Sequence, residues 1–247
     1  MNLTENAARL RSLHRRGEPL VLVNAWDVAS AQRVVAAGGR AVATSSVAVA
    51  ASLGLPDDPS TPRGPVFDAI GRIAGAVDVP VTADLLDGYG LDPDDLVDRL
   101  LATGAVGCNL EDSDHAHPGE LLDPDVVADR IAAVRAAATR AGVDVVVNAR
   151  IDGYLHHGPE ATADVLSRAG RYLDAGADCV YPIRLTDPAT VARLVERLDA
   201  AVNANLSPQV RVADLAAAGA SRISIGPRAF HAALAAVDRL ADDLLTA

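Results

Sequence analysis

Short runs of β-branched and other apolar residues recur along the chain. They fall at residues 20–24, 41–45, 79–84, 106–111, 144–150, 178–183, 200–205 and 222–226. Between them lie Ala- and Arg-rich segments whose apolar positions repeat at helical spacing. Leu96, Leu100 and Leu101 form one stripe, and Val126, Val127, Ile131 and Val134 form another. Glycines at 38, 104, 142, 176 and 219 stand where a helix would close before the next strand. The pairs Asp92-Pro93, Asp123-Pro124 and Asp187-Pro188 read as helix starts, an N-cap acid before a first-turn proline.

Eight strands alternating with helices predict parallel connections. The length is that of a (β/α)8 TIM barrel, a single α/β domain over residues 1–247. An open doubly wound sheet is the competing architecture. It would carry a Gly-rich turn after its first strand, and Asn24-Ala25-Trp26-Asp27 offers none. Residues 48–78 read as a loop plus a helix. Residues 229–247 read as a C-terminal helix with Leu234, Leu240 and Leu244 free to pack or to exchange with a neighbour.

Composition narrows the classes. Half of the 247 residues are hydrophobic and 22% are charged, which excludes a disordered chain. No apolar run approaches the ~18 residues of a membrane span, and the start lacks a signal-peptide core. A cytoplasmic protein is expected. Arg and Lys total 22 against 33 acids, a net charge of −11, so nucleic acid is not an expected partner. The two cysteines, Cys108 and Cys179, lie in apolar stretches and are read as core thiols; they exclude a zinc site or disulfide scaffold. The chain has no lysine at all. That excludes Schiff-base lysine chemistry, pyridoxal phosphate enzymes of the usual kind and a Walker A loop.

In a barrel the C-terminal strand ends form the active-site mouth. Alternation puts Thr82 and Asp84 on one face, then Asn109 and Glu111, then Asn148 and Arg150. Their apolar neighbours belong against the helices, so the polar set points inward. The second strand ends in Thr44-Ser45-Ser46, and the seventh carries Asn203 and Asn205, the latter a substrate-binding candidate. Carboxylates with waters make a hard oxygen site for Mg²⁺ or Mn²⁺. An arginine beside them recognises a carboxylate or phosphate. The expected partner is therefore a small anionic substrate. The bland alternative is a salt-bridge network of Arg150 with Glu111 and Asp84 that only ties strands together.

These segments resemble the phosphoenolpyruvate mutase/isocitrate lyase superfamily, in order and over nearly the whole chain. Residues 44–57 are similar to its second-strand signature. Thr82-Ala83-Asp84-Leu85-Leu86-Asp87-Gly88-Tyr89-Gly90 is similar to its metal motif. Asn109-Leu110-Glu111-Asp112, Asn148-Ala149-Arg150 and Ser224-Ile225-Gly226-Pro227 resemble its later strand ends. The resemblance implies a barrel that forms dimers or tetramers, often with an exchanged C-terminal helix. It implies Mg²⁺ held directly by Asp84 and through waters by Asp57 and Glu111. Ser45 and the amides of Ser46 and Val47 would grip the substrate's carboxylate and oxyanion. Arg150 would bind its other end.

Two positions depart from that pattern. The motif's second acid is Leu86 here, with Asp87 one step along as a substitute ligand. The Lys-Lys-Cys-Gly loop of the isocitrate and methylisocitrate lyases is replaced by Ser113-Asp114-His115-Ala116-His117-Pro118-Gly119. His115 and His117 are therefore the candidate acid/base residues, with His156 and His157 behind them. Tyr89 is a candidate to orient a metal water, and Trp26 either lines the pocket or packs. The reading is a Mg²⁺-dependent carbon–carbon lyase or hydrolase on a small 2-oxo or hydroxy-dicarboxylic acid. A phosphonate mutase or phosphoenolpyruvate hydrolase, with Arg184 as a further cation, is the second reading. A non-catalytic oxo-acid binder lacking the metal is the third.

Overall fold

The first apolar run forms one bent strand in two pieces, β1 (Leu20–Leu22) and β2 (Asn24–Ala25). In the computed structural model, which describes residues 2–246, that bend lets one strand serve both seams of a closed sheet. Its lower half pairs in parallel with β9 (Arg222–Ser224), Leu20 beside Arg222. Its upper half pairs with β3 (Val42–Thr44), Asn24 beside Ala43. From there β4 (Val81–Asp84), β5 (Gly107–Glu111), β6 (Val146–Ile151) and β7 (Cys179–Pro182) follow in order, all parallel. β8 (Asn203–Asn205) pairs with β9, and a bridge from Val180 to Val202 joins it to β7. The ring is an eight-stranded barrel, as the alternation predicts.

The strands bury Val81, Ala83, Cys108, Leu110, Val147 and Ala149. The opposite set meets inside the ring: Asn148 Nδ2 donates to Asn109 Oδ1 at 2.8 Å, and Arg222 Nη2 reaches the same oxygen at 3.3 Å. Those two bonds join residues from β5, β6 and β9, so the polar face points inward.

Helices pack outside: α2 (Val28–Ala36), α4 (Arg63–Gly75), α5 (Pro93–Thr103), α6 (Pro124–Arg140), α8 (Thr162–Asp174), α9 (Pro188–Leu198), α10 (Val212–Ala217) and α11 (Arg228–Leu245). Short α3 (Ser46–Ser52) and α7 (Gly153–His157) sit at the mouth, directly after β3 and β6. The stretch read as a loop plus one helix thus contains α3 as well as α4. Asp123 and Asp187 cap α6 and α9, accepting from Asp125 N and Thr190 N. Asp92 makes no such bond, so only Pro93 marks the start of α5. Gly104 closes α5 at φ +87°, a conformation costly for any residue with a Cβ.

Helix α1 (Leu3–Ser12) closes the barrel's N-terminal end. Its Leu10 is fully buried and presses on Gly107, where a Cβ would come within 2.7 Å of Leu10 Cδ2. Arg11 ties the helix to Asp144 and Asp178 at 2.8 Å each. Trp26 packs edge-on against Phe230 of α11, ring centres 5.3 Å apart, which settles it as a packing residue. Among the described residues no helix is long and apolar enough to cross a membrane.

Candidate active site

The strand ends open into a cavity of about 470 Å³. Ser45, Ser46, Val47, Asp57, Asp84, Glu111, His115 and Arg150 all line it, as the sequence reading expects. The strand-borne members are fixed by the barrel. Asp84, last residue of β4, donates its backbone N–H to Thr44 Oγ1 at 3.0 Å. Its carboxylate accepts from Ser46 N and Ser46 Oγ, both at 3.2 Å, and from Asn109 Nδ2 at 3.2 Å. The amide of Ser46 is thus already engaged by Asp84, and Ser45 and Val47 remain beside it on the cavity wall. Ser46 Oγ also reaches Asp57 at 3.4 Å. Enclosure by the cavity wall and then the like charge of Asp84 raise the Asp57 carboxyl to about 6.

Arg150 already meets carboxylates through all three of its nitrogens. Nε and Nη2 fork onto Asp152 at 2.6 and 2.9 Å, and Nη1 meets Glu111 at 2.6 Å. Burial works against its charge, but Glu111 and Asp152 outweigh it and hold the guanidinium protonated. Burial likewise raises the Glu111 carboxyl, with Arg150 opposing. His115 Nε2 lies 3.0 Å from the other Glu111 oxygen, and that bond raises the imidazole. Arg222, fully buried under the cavity, has no carboxylate partner among the described residues; burial lowers its guanidinium.

Besides Trp26, six candidates do not line the cavity: Asp87, Tyr89, His117, His157, Asn205 and Arg184. Directly after Asp84 the chain turns, with Leu86 at φ +52° and Tyr89 at φ +55°. Leu86 stays on the cavity wall, while Asp87 points away and buries Oδ1 without a partner. Asp87 is therefore not a substitute ligand in this conformation. Tyr89 is buried edge-on against Phe67, centres 6.5 Å apart, and its hydroxyl is raised by burial and then by Asp84. His117 turns out to Asp114 on the exposed side of the loop, at 2.8 Å. Asn205 backs the wall instead of forming it, donating to Tyr181 OH at 2.9 Å. Arg184 lines a separate cavity with Tyr154 and Arg193.

Several lining residues escaped the sequence reading. Asp152 and Ser113 extend the alternation that selects Arg150 and Glu111 by one more step, so the signal was present. His156 reaches the cavity where His117 does not, because α7 begins immediately after β6. Asn24 and Tyr181 line it from strands without a recognised motif, and Ser224 from the segment Ser224-Ile225-Gly226-Pro227.

A metal can be tested against this donor set. Along the floor and walls, Asp57, Asp84, Glu111 and Asp152 face Arg150 and Arg222. With Asp58 and Asp114 also lining it, six carboxylates stand against two arginines, an acidic excess that a divalent cation would partly offset. Among the described residues no three His, Cys, Asp or Glu side chains converge on one point. The donors therefore fit a hydrated ion with one or two carboxylate contacts and not an all-protein cage.

The fold and the acidic mouth define a TIM-barrel protein with a carboxylate-rich cavity at its strand ends. The family model for phosphoenolpyruvate phosphomutase matches residues 10–245, and the chain belongs to this family, within the phosphoenolpyruvate mutase/isocitrate lyase superfamily. An uncharacterised Mycobacterium tuberculosis (strain ATCC 25618 / H37Rv) protein, Rv1998c, is 36% identical over 90% of this chain and 83% of its own. The 2-methylisocitrate lyase of Salmonella typhimurium is 29% identical over 84% of this chain and 72% of its own. A Burkholderia cenocepacia J2315 crystal structure, provisionally described as a phosphonomutase, superposes with a TM-score of 0.90 at 40% identity. That match covers 98% of this chain and 99% of the other.

Proposed function

We propose that the protein is a divalent-metal-dependent carbon–carbon lyase or hydrolase acting on a small 2-oxo or hydroxy-dicarboxylic acid. The observation that carries this reading is the excess of carboxylates over arginines at the mouth, around Asp84 and beside Ser45 and Val47. Asp84 would ligate Mg²⁺ or Mn²⁺ directly, with Asp57 and Glu111 on its waters. When bound, such an ion supplies Lewis-acid polarisation of a carbonyl oxygen. Ser45 and the amide of Val47 orient the substrate's 2-oxo end. Arg150, once Glu111 turns toward the ion, takes its far carboxylate. Electrostatic stabilisation of the enolate that forms beside the carbonyl is then the main catalytic contribution. The likeness to 2-methylisocitrate lyase supports this class of chemistry, while the missing loop cysteine and lysines argue for a different substrate.

The phosphonomutase likeness favours a second reading, phosphorus–carbon or phosphoenolpyruvate chemistry. It needs cations on a migrating phosphoryl group. Arg184 faces another cavity, which weighs against it. A metal-free binder is the third reading, and Leu86 is its support.

Calorimetric titration with oxalate, a mimic of the pyruvate enolate, decides among them. Binding with Mg²⁺ that disappears in EDTA is the expected result, and oxaloacetate and malate-like acids are then assayed for cleavage. Equal oxalate binding in EDTA would favour the metal-free binder, and no binding in either condition would end the lyase reading.

We further propose that the chain self-associates through α11. Leu234, Val237, Leu240 and Leu244 stand 46–70% exposed along it, an apolar stripe a lone subunit would leave in water.

A further inference from the structure

On the cavity wall after β5 and β6, Ser113, Asp152 and His156 form one hydrogen-bonded chain. Ser113 Oγ lies 2.6 Å from Asp152 Oδ2 and 3.0 Å from His156 Nε2. A serine hydroxyl has one proton to donate. The carboxylate of Asp152, itself forked onto Arg150, is the stronger and closer acceptor and takes it. The contact with His156 is then Nε2–H donating to Ser113 Oγ. The proton of the neutral ring sits on Nε2, and Nδ1 keeps its lone pair.

Of the other proton carriers of the cavity, Asp57 is assigned above to the ion's waters, and the rest are committed. His115 Nε2 is bonded to Glu111 at 3.0 Å. Tyr181 OH accepts from Asn205, and burial raises it. Both cysteines are buried, pushed up to about 12 by that burial, and the chain has no lysine.

Resting on the enolate reading above, we infer that His156 Nδ1 is the proton carrier of the cavity and that Ser113 sets its tautomer. As the carbon–carbon bond breaks, neutral Nδ1 takes the proton leaving the substrate's hydroxyl, or the attacking water in hydrolysis, and the imidazolium so formed gives it to the enolate carbon. The enolate electron pair forms the new C–H bond, the carbonyl is restored, and the ring is left neutral. In reverse, Nδ1 takes a proton from the carbon beside a 2-oxo acid's carbonyl, and the C–H pair moves into the enolate. No oxidant takes part, and the water of hydrolysis is the only second reactant.

The test has two arms. In the first, ¹⁵N spectroscopy of the unsubstituted protein reads the His156 ring, and needs neither substrate nor variant. A protonated Nε2 with an unprotonated Nδ1 is expected; the Nδ1–H tautomer overturns the proposal. In the second, pyruvate with Mg²⁺ is followed in D₂O for deuteration of its methyl group. H156Q should slow exchange by about a hundredfold or more while oxalate titrates as before. S113A should slow it by about tenfold, with S113T restoring the rate because it keeps the hydroxyl. A ring that acts only structurally would not give rescue of H156A by free imidazole, which is expected here. Exchange that survives in H156Q overturns the proton role alone. No exchange by the unsubstituted protein overturns the enolate reading and the proton role together.

Discussion

Leu86 occupies the wall position where an acid two residues after Asp84 would approach a cation. It does so at φ +52°, a conformation aspartate tolerates better than leucine. Leu86→Asp should therefore tighten Mg²⁺ binding by about tenfold without loss of fold, as read by calorimetry. Unchanged affinity would mean that the ion, if bound, does not sit beside Asp84. His14 gives a residue-scale prediction about stability. It bonds Leu10 O through Nδ1 at 2.9 Å, and burial, then Arg222, lower it to about 4. The folded ring stays neutral where the unfolded chain takes a proton. Its penalty is absent above pH 6.5 and grows as pH falls from 6.5 toward 4, up to about 3 kcal/mol. Thermal melts across that window should show a shallower loss for His14→Leu than for the unsubstituted chain.

Helix α1 and strand β5 meet at a contact that only glycine permits. A Cβ on Gly107 would lie 2.7 Å from Leu10 Cδ2, 3.0 Å from Thr82 Oγ1 and 3.1 Å from Val146 O. Gly107→Ala should cost about 1–3 kcal/mol, and Leu10→Ala about 2–5 kcal/mol. Together they should cost less than their sum, since the smaller side chain makes room for the methyl; chemical denaturation of all four proteins gives the coupling. Elements such as these were legible in the sequence wherever period and register decide conformation. All eight apolar runs became barrel staves because side-chain alternation, reinforced at most of them by Gly or Asp-Pro punctuation, decides their conformation. The site was legible to the same depth. Asp84, Glu111 and Arg150 sit on strands, where parity fixes direction. Asp87, Tyr89 and His117 lie past the strand ends, where left-handed turns and loop packing replace parity, and there the reading failed. Arg222 could not have been found: its inward direction follows from β9 closing on β1, a contact between opposite ends of the chain.

At the scale of the whole molecule, the exposed stripe on α11 sets the prediction. L240D with L244D should convert an assembly to monomers in light scattering, weakening association by about a hundredfold or more, and leave the oxalate site intact. A monomeric unsubstituted protein would remove the basis for that surface. The barrel also determines how the mouth behaves toward its surroundings. Arg150, forked onto Asp152 and held by Glu111, carries its own tethered competitor. A carboxylate fixed to the same scaffold acts at a high effective concentration. Free acetate or formate would have to outcompete it unaided, so ordinary carboxylate buffers should not inhibit. An anion gains entry to Arg150 only when something else draws Glu111 away, which makes the first occupant of the mouth the gatekeeper for the second.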